Sequence, residues 1–144
     1  MKRGMLAVLF LVLLCSAAWG EVWYRYQGTF SVNLYRIAGE TERWSAEFYV
    51  LLCYQTTPWS ISFERVGGGS YFSGEFDQEG RKLQFRASRP GGEETGVGRG
   101  SFNAKATTLN LQGSSFYRGA GVGARSSFLQ HRFRGKFVDI IVRP

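Results

Sequence analysis

Apolar and polar residues alternate with a period of two along most of the chain. Val22, Tyr24, Tyr26, Gly28, Phe30, Val32 and Leu34 fall on one face of an extended segment, and Arg25, Gln27, Thr29, Ser31 and Asn33 fall on the other. This is the pattern of a strand with one face in a core and one in water. A polar turn, Ala38-Gly39-Glu40-Thr41-Glu42, precedes a second run with Trp44, Ala46, Phe48, Val50, Leu52 and Tyr54 in alternation. Thr57-Pro58 breaks the chain, and Trp59, Ile61 and Phe63 open a third strand. Gly67-Gly68-Gly69 turns into a strand from Tyr71 to Phe76, and Asp77-Gln78-Glu79-Gly80 predicts a tight hairpin into Leu83, Phe85 and Ala87. Arg89-Pro90-Gly91-Gly92-Glu93-Glu94 reads as an exposed loop before a strand that ends at Phe102. Lys105-Ala106 turns into a strand from Thr107 to Gly113, and a Gly-rich stretch from Gly119 to Gly123 precedes two last strands expected over 126–134 and 135–142.

No helical stripe interrupts this series after residue 20. Short strands with turn signals every 8–12 residues or so predict an all-β sandwich or barrel, and the short connections favour an antiparallel meander of about eight to ten strands. Gly-x-Phe occurs four times, at Gly28, Gly74, Gly100 and Gly135, and in three of these an aromatic (Tyr26, Phe72 or Phe133) lies two residues before the glycine. On a strand this places aromatic, glycine and phenylalanine on one face, where glycine lets the strand coil or admits a neighbouring ring. The spacing is irregular, which excludes a propeller or solenoid. A strongly curved sheet with an aromatic interior, closed as a meander barrel, is the expected fold, with a curved β-sandwich as the alternative.

The first twenty residues have a different pattern. Met1-Lys2-Arg3 is a basic start, Met5 to Leu14 is an apolar run, and Ala18-Trp19-Gly20 is a small-x-small close. These are the parts of a secretory signal peptide, expected to be cleaved after Gly20, with a single domain over residues 21–144. The run is too short for a permanent bilayer span. Leu14 before Cys15 argues against lipoprotein processing, and Leu9 stands where a pilin leader carries glutamate. The expected location is therefore secreted or periplasmic. Removal of Cys15 leaves Cys53 alone in an apolar run, so no internal disulfide is expected and Cys53 reads as a buried hydrophobe.

The chemistry-bearing inventory is thin. The chain of 144 residues holds one histidine, two cysteines and two aspartates, against 16% aromatic residues, which leaves little for a metal centre and predicts no cofactor. His131 reads as a surface or strand-face residue beside Arg132 and Arg134, with Asp139 too weakly placed to orient it in a catalytic relay. Glu75, Asp77 and Glu79 could share a face as paired carboxylates do, but their place in the expected hairpin makes them solvated turn residues. Neither Gly96-Val97-Gly98-Arg99-Gly100 nor Gly119-Ala120-Gly121-Val122-Gly123 has the spacing of a dinucleotide loop or opens a helix. The expectation is a non-enzymatic protein.

Charge is distributed unevenly. The formal net charge is +7, of which Lys2 and Arg3 contribute two. From Glu21 to Glu94 eight basic residues face ten acidic ones, whereas Thr95 to Pro144 holds eight basic residues and only Asp139 as an acid. Arg132, Arg134 and Lys136 are spaced by two and form a ladder on one strand face, with Arg118 and Arg125 upstream. Such a cluster suits an anionic partner, either lipid headgroups or acidic glycans, and nucleic acid is not expected outside the cell. The opposing account is that these residues protect a sheet edge or pair with the acidic first half.

The interior offers a second mode. Tyr24, Tyr26, Phe30, Trp44, Phe48, Trp59 and Phe63 line the expected core and could enclose an apolar small molecule, as lipocalin-like and avidin-like barrels do, or simply fill the space. The sequence thus predicts an exported binding protein. The alternatives are a structural or assembly component of the cell envelope, self-associating or docking a partner through a sheet edge, and a small outer-membrane β-barrel.

Overall fold

A computed structural model describes residues 20–36, 41–91, 94–117 and 127–144. The leader expected over residues 1–20 lies outside the described residues except for Gly20. Eight antiparallel strands follow one another around a closed barrel: β1 (Glu21–Arg36), β2 (Thr41–Cys53), β3 (Ser60–Arg65), β4 (Ser70–Glu79), β5 (Lys82–Ser88), β6 (Glu94–Phe102), β7 (Thr108–Tyr117) and β8 (Ser127–Arg143). Each strand pairs with its neighbours in sequence, and β8 closes the ring on β1. The meander barrel is therefore the observed fold, and the sandwich is not.

The register sets the shape of the barrel. From Tyr24 the paired residues run through Leu52, Ile61, Gly74, Ala87, Gly96, Ser115 and Leu129 and return to β1 at Leu34, ten residues further on. A stagger of that size in an eight-stranded barrel requires strands tilted by roughly 40° and leaves an interior just wide enough for side chains. Two close approaches make the required coiling feasible. A Cβ on Gly28 would overlap the carbonyl oxygen of Arg134 on β8, and one on Gly74 would overlap the carbonyl oxygen of Arg86 on β5. Three of the four Gly-x-Phe glycines, Gly28, Gly74 and Gly100, thus mark inward positions where adjacent backbones pass too closely for any side chain, whereas a Cβ on Gly135 would meet the ring of Phe133.

Two expected boundaries differ from the observed ones. The last two expected strands are the single strand β8, whose 17 residues include the expected break between residues 134 and 135. Leu129, His131, Phe133 and Gly135 face inward by alternation, but the ladder shifts at Val138, where Tyr26 pairs with Phe137 and Arg25 with Asp139. One extra residue reverses the facing of everything after it, which in sequence resembles the start of a new strand. The Asp77–Gly80 hairpin is also shorter than expected. β4 extends to Glu79, which pairs with Lys82 across the two-residue turn Gly80-Arg81, with Gly80 at φ 62°. Glu75, Asp77 and Glu79 consequently stand exposed on the outer wall of a strand.

The interior is the core. Phe30, Phe48, Phe63 and Phe133 are essentially inaccessible, and Phe30 makes ring contacts with Trp44, Phe48, Phe63, Tyr71 and His131. Aromatic pairs of this kind add about 0.5–1.5 kcal/mol each beyond the area they bury. Outward positions are mostly polar or charged, which is the reverse of the polarity of a lipid-embedded barrel. Cys53 is free and buried, and desolvation raises its thiol pKa, as fits a packing residue.

Candidate functional site

The barrel has two ends. At the upper end β1, β3, β5 and β7 finish and β2, β4, β6 and β8 begin, and the lower end is the reverse, with Gly20 and Pro144. The expected interior residues sit at different depths. Tyr26, Phe30, Phe48 and Phe63 are in the packed core. Trp44 is part-buried near the upper end and packs on Phe48 and Tyr71. Tyr24 is part-buried near the lower end against Tyr54. Trp59 does not line the interior. It precedes β3, is 37% exposed, and packs on Tyr54 and Phe76. The gap lined by Phe30, Phe72, Leu111, His131 and Phe133 amounts to about 10 Å³, the space of a single water. In this conformation aromatic rings fill most of the barrel, and of the seven Phe30 and Phe63 line this gap.

One polar chain enters this core at the upper end. Glu94 opens β6 and is 2% exposed, so it is not part of the exposed loop expected there. The Ser115 hydroxyl donates to the Glu94 carboxylate at 3.1 Å and lies 2.6 Å from His131 Nε2. A hydroxyl has one proton, so with that proton on Glu94 the imidazole donates from Nε2 and Nδ1 carries the lone pair. Nδ1 is buried without a hydrogen-bond partner. Ser115 is 3% exposed, so its hydroxyl is enclosed between the Glu94 carboxyl and the imidazole. Burial pushes the Glu94 carboxyl up and His131 down to about 4. Arg132 and Arg134, which the sequence places beside His131, point to the opposite side of the wall and play no part in that shift. Asp139 is on the outer wall as well, bonded through both oxygens to Arg25 at 2.7 and 2.6 Å.

The outer wall holds the more distinctive arrangement. Arg132, Arg134 and Lys136 are exposed on β8, as the spacing of two predicts. In register, Arg132 lies between Ser31 of β1 and Gln112 of β7, Arg134 between Thr29 and Asn110, and Lys136 between Gln27 and Thr108. Gln112 in turn pairs with Arg99 on β6, so a fourth exposed cation joins the Arg132 row two strand spacings away, about 10 Å. The outward positions Thr95–Ser101, Thr108–Phe116, Phe128–Lys136 and Gln27–Tyr35 hold no acid. The flanking acids are Glu47 on β2, which accepts from Thr29, Asp139 beyond Lys136 on β8, which is paired with Arg25, and Glu75, Asp77 and Glu79 on β4, two strands from Arg99.

Neither bland account of the ladder fits this geometry. Residues 127–136 of β8 are hydrogen-bonded to β1 on one side and β7 on the other, so they need no protection as an edge. Ion pairs join Arg25 to Asp139, Arg36 to Glu42 and Arg143 to Glu64, and among the described residues Arg99, Arg132, Arg134 and Lys136 form none. Arg118 and Arg125 lie outside the described residues. No protein-family model matches the chain, and no curated protein is similar to it. Arg99 was not singled out in sequence because its proximity depends on the β6–β7 register, whereas the β8 ladder is a local spacing.

Proposed function

We propose that the protein is an exported, non-enzymatic binding module that docks polyanionic surfaces through the outer wall of β6, β7, β8 and β1. The observation that carries this reading is four exposed cations in the middle of a doubly paired wall with no acid among them. Unpaired cations held on a rigid sheet add their potentials, and arginine can fork onto phosphate, sulfate or carboxylate oxygens. The polar outside fits a barrel that works in water, and the amino-terminal leader fits an envelope or extracellular location. Binding of dextran sulfate and of phosphatidylglycerol vesicles should weaken with salt. The Arg132→Glu, Arg134→Glu double variant should bind either probe about thirty-fold or more weakly, because a basic residue near an anionic surface contributes about 1 kcal/mol and each reversal also adds a repulsion. Unchanged binding by the double variant would remove the reading.

A second reading has its own observation. The β7–β8 ladder ends at Thr108–Lys136, after which the Phe137 amide bonds to Thr107 and β8 continues to Arg143 paired only with β1. Its free edge is β-branched, and Val138, Ile140 and Val142 are 40–49% exposed. An edge of this kind recruits another strand, as an envelope-assembly role needs. Centred on Ile141, an antiparallel pair of two copies would set Asp139 opposite Arg143 and Ile140 opposite Val142. Sedimentation should show concentration-dependent dimers that Ile140→Lys abolishes. A wild-type protein that stays monomeric at all concentrations excludes this pairing.

A further inference from the structure

The upper margin of the cationic wall carries a row of aromatic side chains. Tyr35 on β1 pairs with Phe128 on β8, and Phe128 pairs with Phe116 on β7, so the three lie side by side across three strands. They face outward and are 39%, 43% and 47% exposed. Below them a second row, Asn33, Gln130, Ser114 and the exposed Val97, is uncharged. The Arg132 row with Arg99 comes next. From the upper end downward the same wall is thus aromatic, then neutral, then cationic.

An ordered gradient of this kind distinguishes between anionic partners. A sulfated or phosphorylated polymer in water offers exposed rings only the C–H faces of its sugars and does not take three of them out of water together. A membrane surface does, because aromatic rings favour the headgroup level while cations attract the phosphates just outside it. The dimensions agree. Arg132 is four residues along β8 from Phe128, about 13 Å along the strand. With strands tilted by roughly 40°, that is about 10 Å along the barrel axis. A polar headgroup layer is about 5–7 Å deep on each side of the bilayer, and a long arginine side chain can reach down toward it.

We infer that the protein sits upper end down on an anionic membrane, with Tyr35, Phe116 and Phe128 in the interface and Arg132, Arg134 and Arg99 against lipid phosphates. This inference rests on the polyanion reading of the same wall. Charge complementarity argues for an anionic leaflet, and the aromatic row argues for lipid over free polymer.

The test compares two probes and two variants. The probes are vesicles of phosphatidylglycerol mixed with phosphatidylcholine, and dextran sulfate as a lipid-free polyanion. The Phe116→Ser, Phe128→Ser variant replaces exposed side chains, so it should keep the wild-type circular dichroism spectrum. It is expected to partition onto vesicles at least about tenfold more weakly, the effect of losing two partly buried rings, with dextran sulfate binding unchanged. The Arg132→Glu, Arg134→Glu variant should lose both. High salt should release wild type from dextran sulfate before it releases it from vesicles, because the aromatic contribution is not screened. If the phenylalanine variant partitions like wild type while the arginine variant loses both probes, the membrane inference is wrong and the polyanion reading stands. If wild type binds neither probe, the polyanion reading fails and this inference fails with it.

Discussion

Gly28→Ala should cost the barrel more than about 3 kcal/mol, a large part of the roughly 5–15 kcal/mol that holds a typical domain folded. Gly28 lies in the middle of the longest ladder in the molecule, opposite Phe48 on β2 and Gly135 on β8. A methyl group there meets the Arg134 carbonyl oxygen and the Gly135 Cα. Both obstacles are backbone, so no rotamer change relieves the clash, and β1 and β8 would have to separate where they close the ring. Gly69→Ala is the matched comparison. Nothing lies within 4 Å of a Cβ there, and the backbone is not left-handed, so the change should stay within about 0.5 kcal/mol of wild type. Urea unfolding followed by tryptophan fluorescence measures both. Equal midpoints for the two variants would show that the β1–β8 approach is not tight.

This sensitivity was partly visible in the sequence. Gly-x-Phe on an alternating face implied a coiled strand with rings on both sides of the glycine, and the inward positions of Gly28, Gly74 and Gly100 agree. The alternation also identified the core, because a barrel with an apolar inside and a polar outside writes its two faces directly into odd and even positions. The failures share one cause, since each depends on information outside a local window. A single-residue bulge at Val138 was indistinguishable from a chain break, because both reverse the alternation. Trp59 looked like the start of an inward strand but belongs to the segment before β3 that packs across the lower end. Glu94 looked exposed in a Gly- and Glu-rich loop, yet it is buried through its bond to Ser115, twenty-one residues away. In the candidate site, the β8 ladder was legible from its spacing. The Arg99 extension and the aromatic row were not, because they exist only once β6, β7, β8 and β1 are neighbours.

The part-buried imidazole should make stability depend on pH in a way that His131→Gln removes. The folded-state pKa of His131 is pushed down to about 4 by burial, against an ordinary value near 6.5. Above pH 7 the ring is neutral in both folded and unfolded chains and contributes no pH dependence. As pH falls through 6.5, the unfolded chain takes up a proton that the folded chain refuses, so stability falls by up to about 1.4 kcal/mol per pH unit. The fall ends near pH 4, where the folded form also protonates, and totals roughly 3 kcal/mol. Glu94 acts in the opposite sense. Its carboxyl is raised by burial, so the folded chain holds a proton that the unfolded chain has released, and lowering the pH relieves that cost. Glu64 acts with His131 but at lower pH, because its bidentate bond to Arg143 holds its carboxyl below the usual range and is lost only on protonation. His131→Gln keeps a side chain able to bond Ser115 without a titrating group. Its urea midpoint should therefore hold or rise slightly between pH 6.5 and 4.5, where wild type declines, and both proteins should fall together at lower pH. A parallel decline of the two proteins from pH 7 downward would show that the imidazole reaches water in the folded barrel and that the upper end of the core is open.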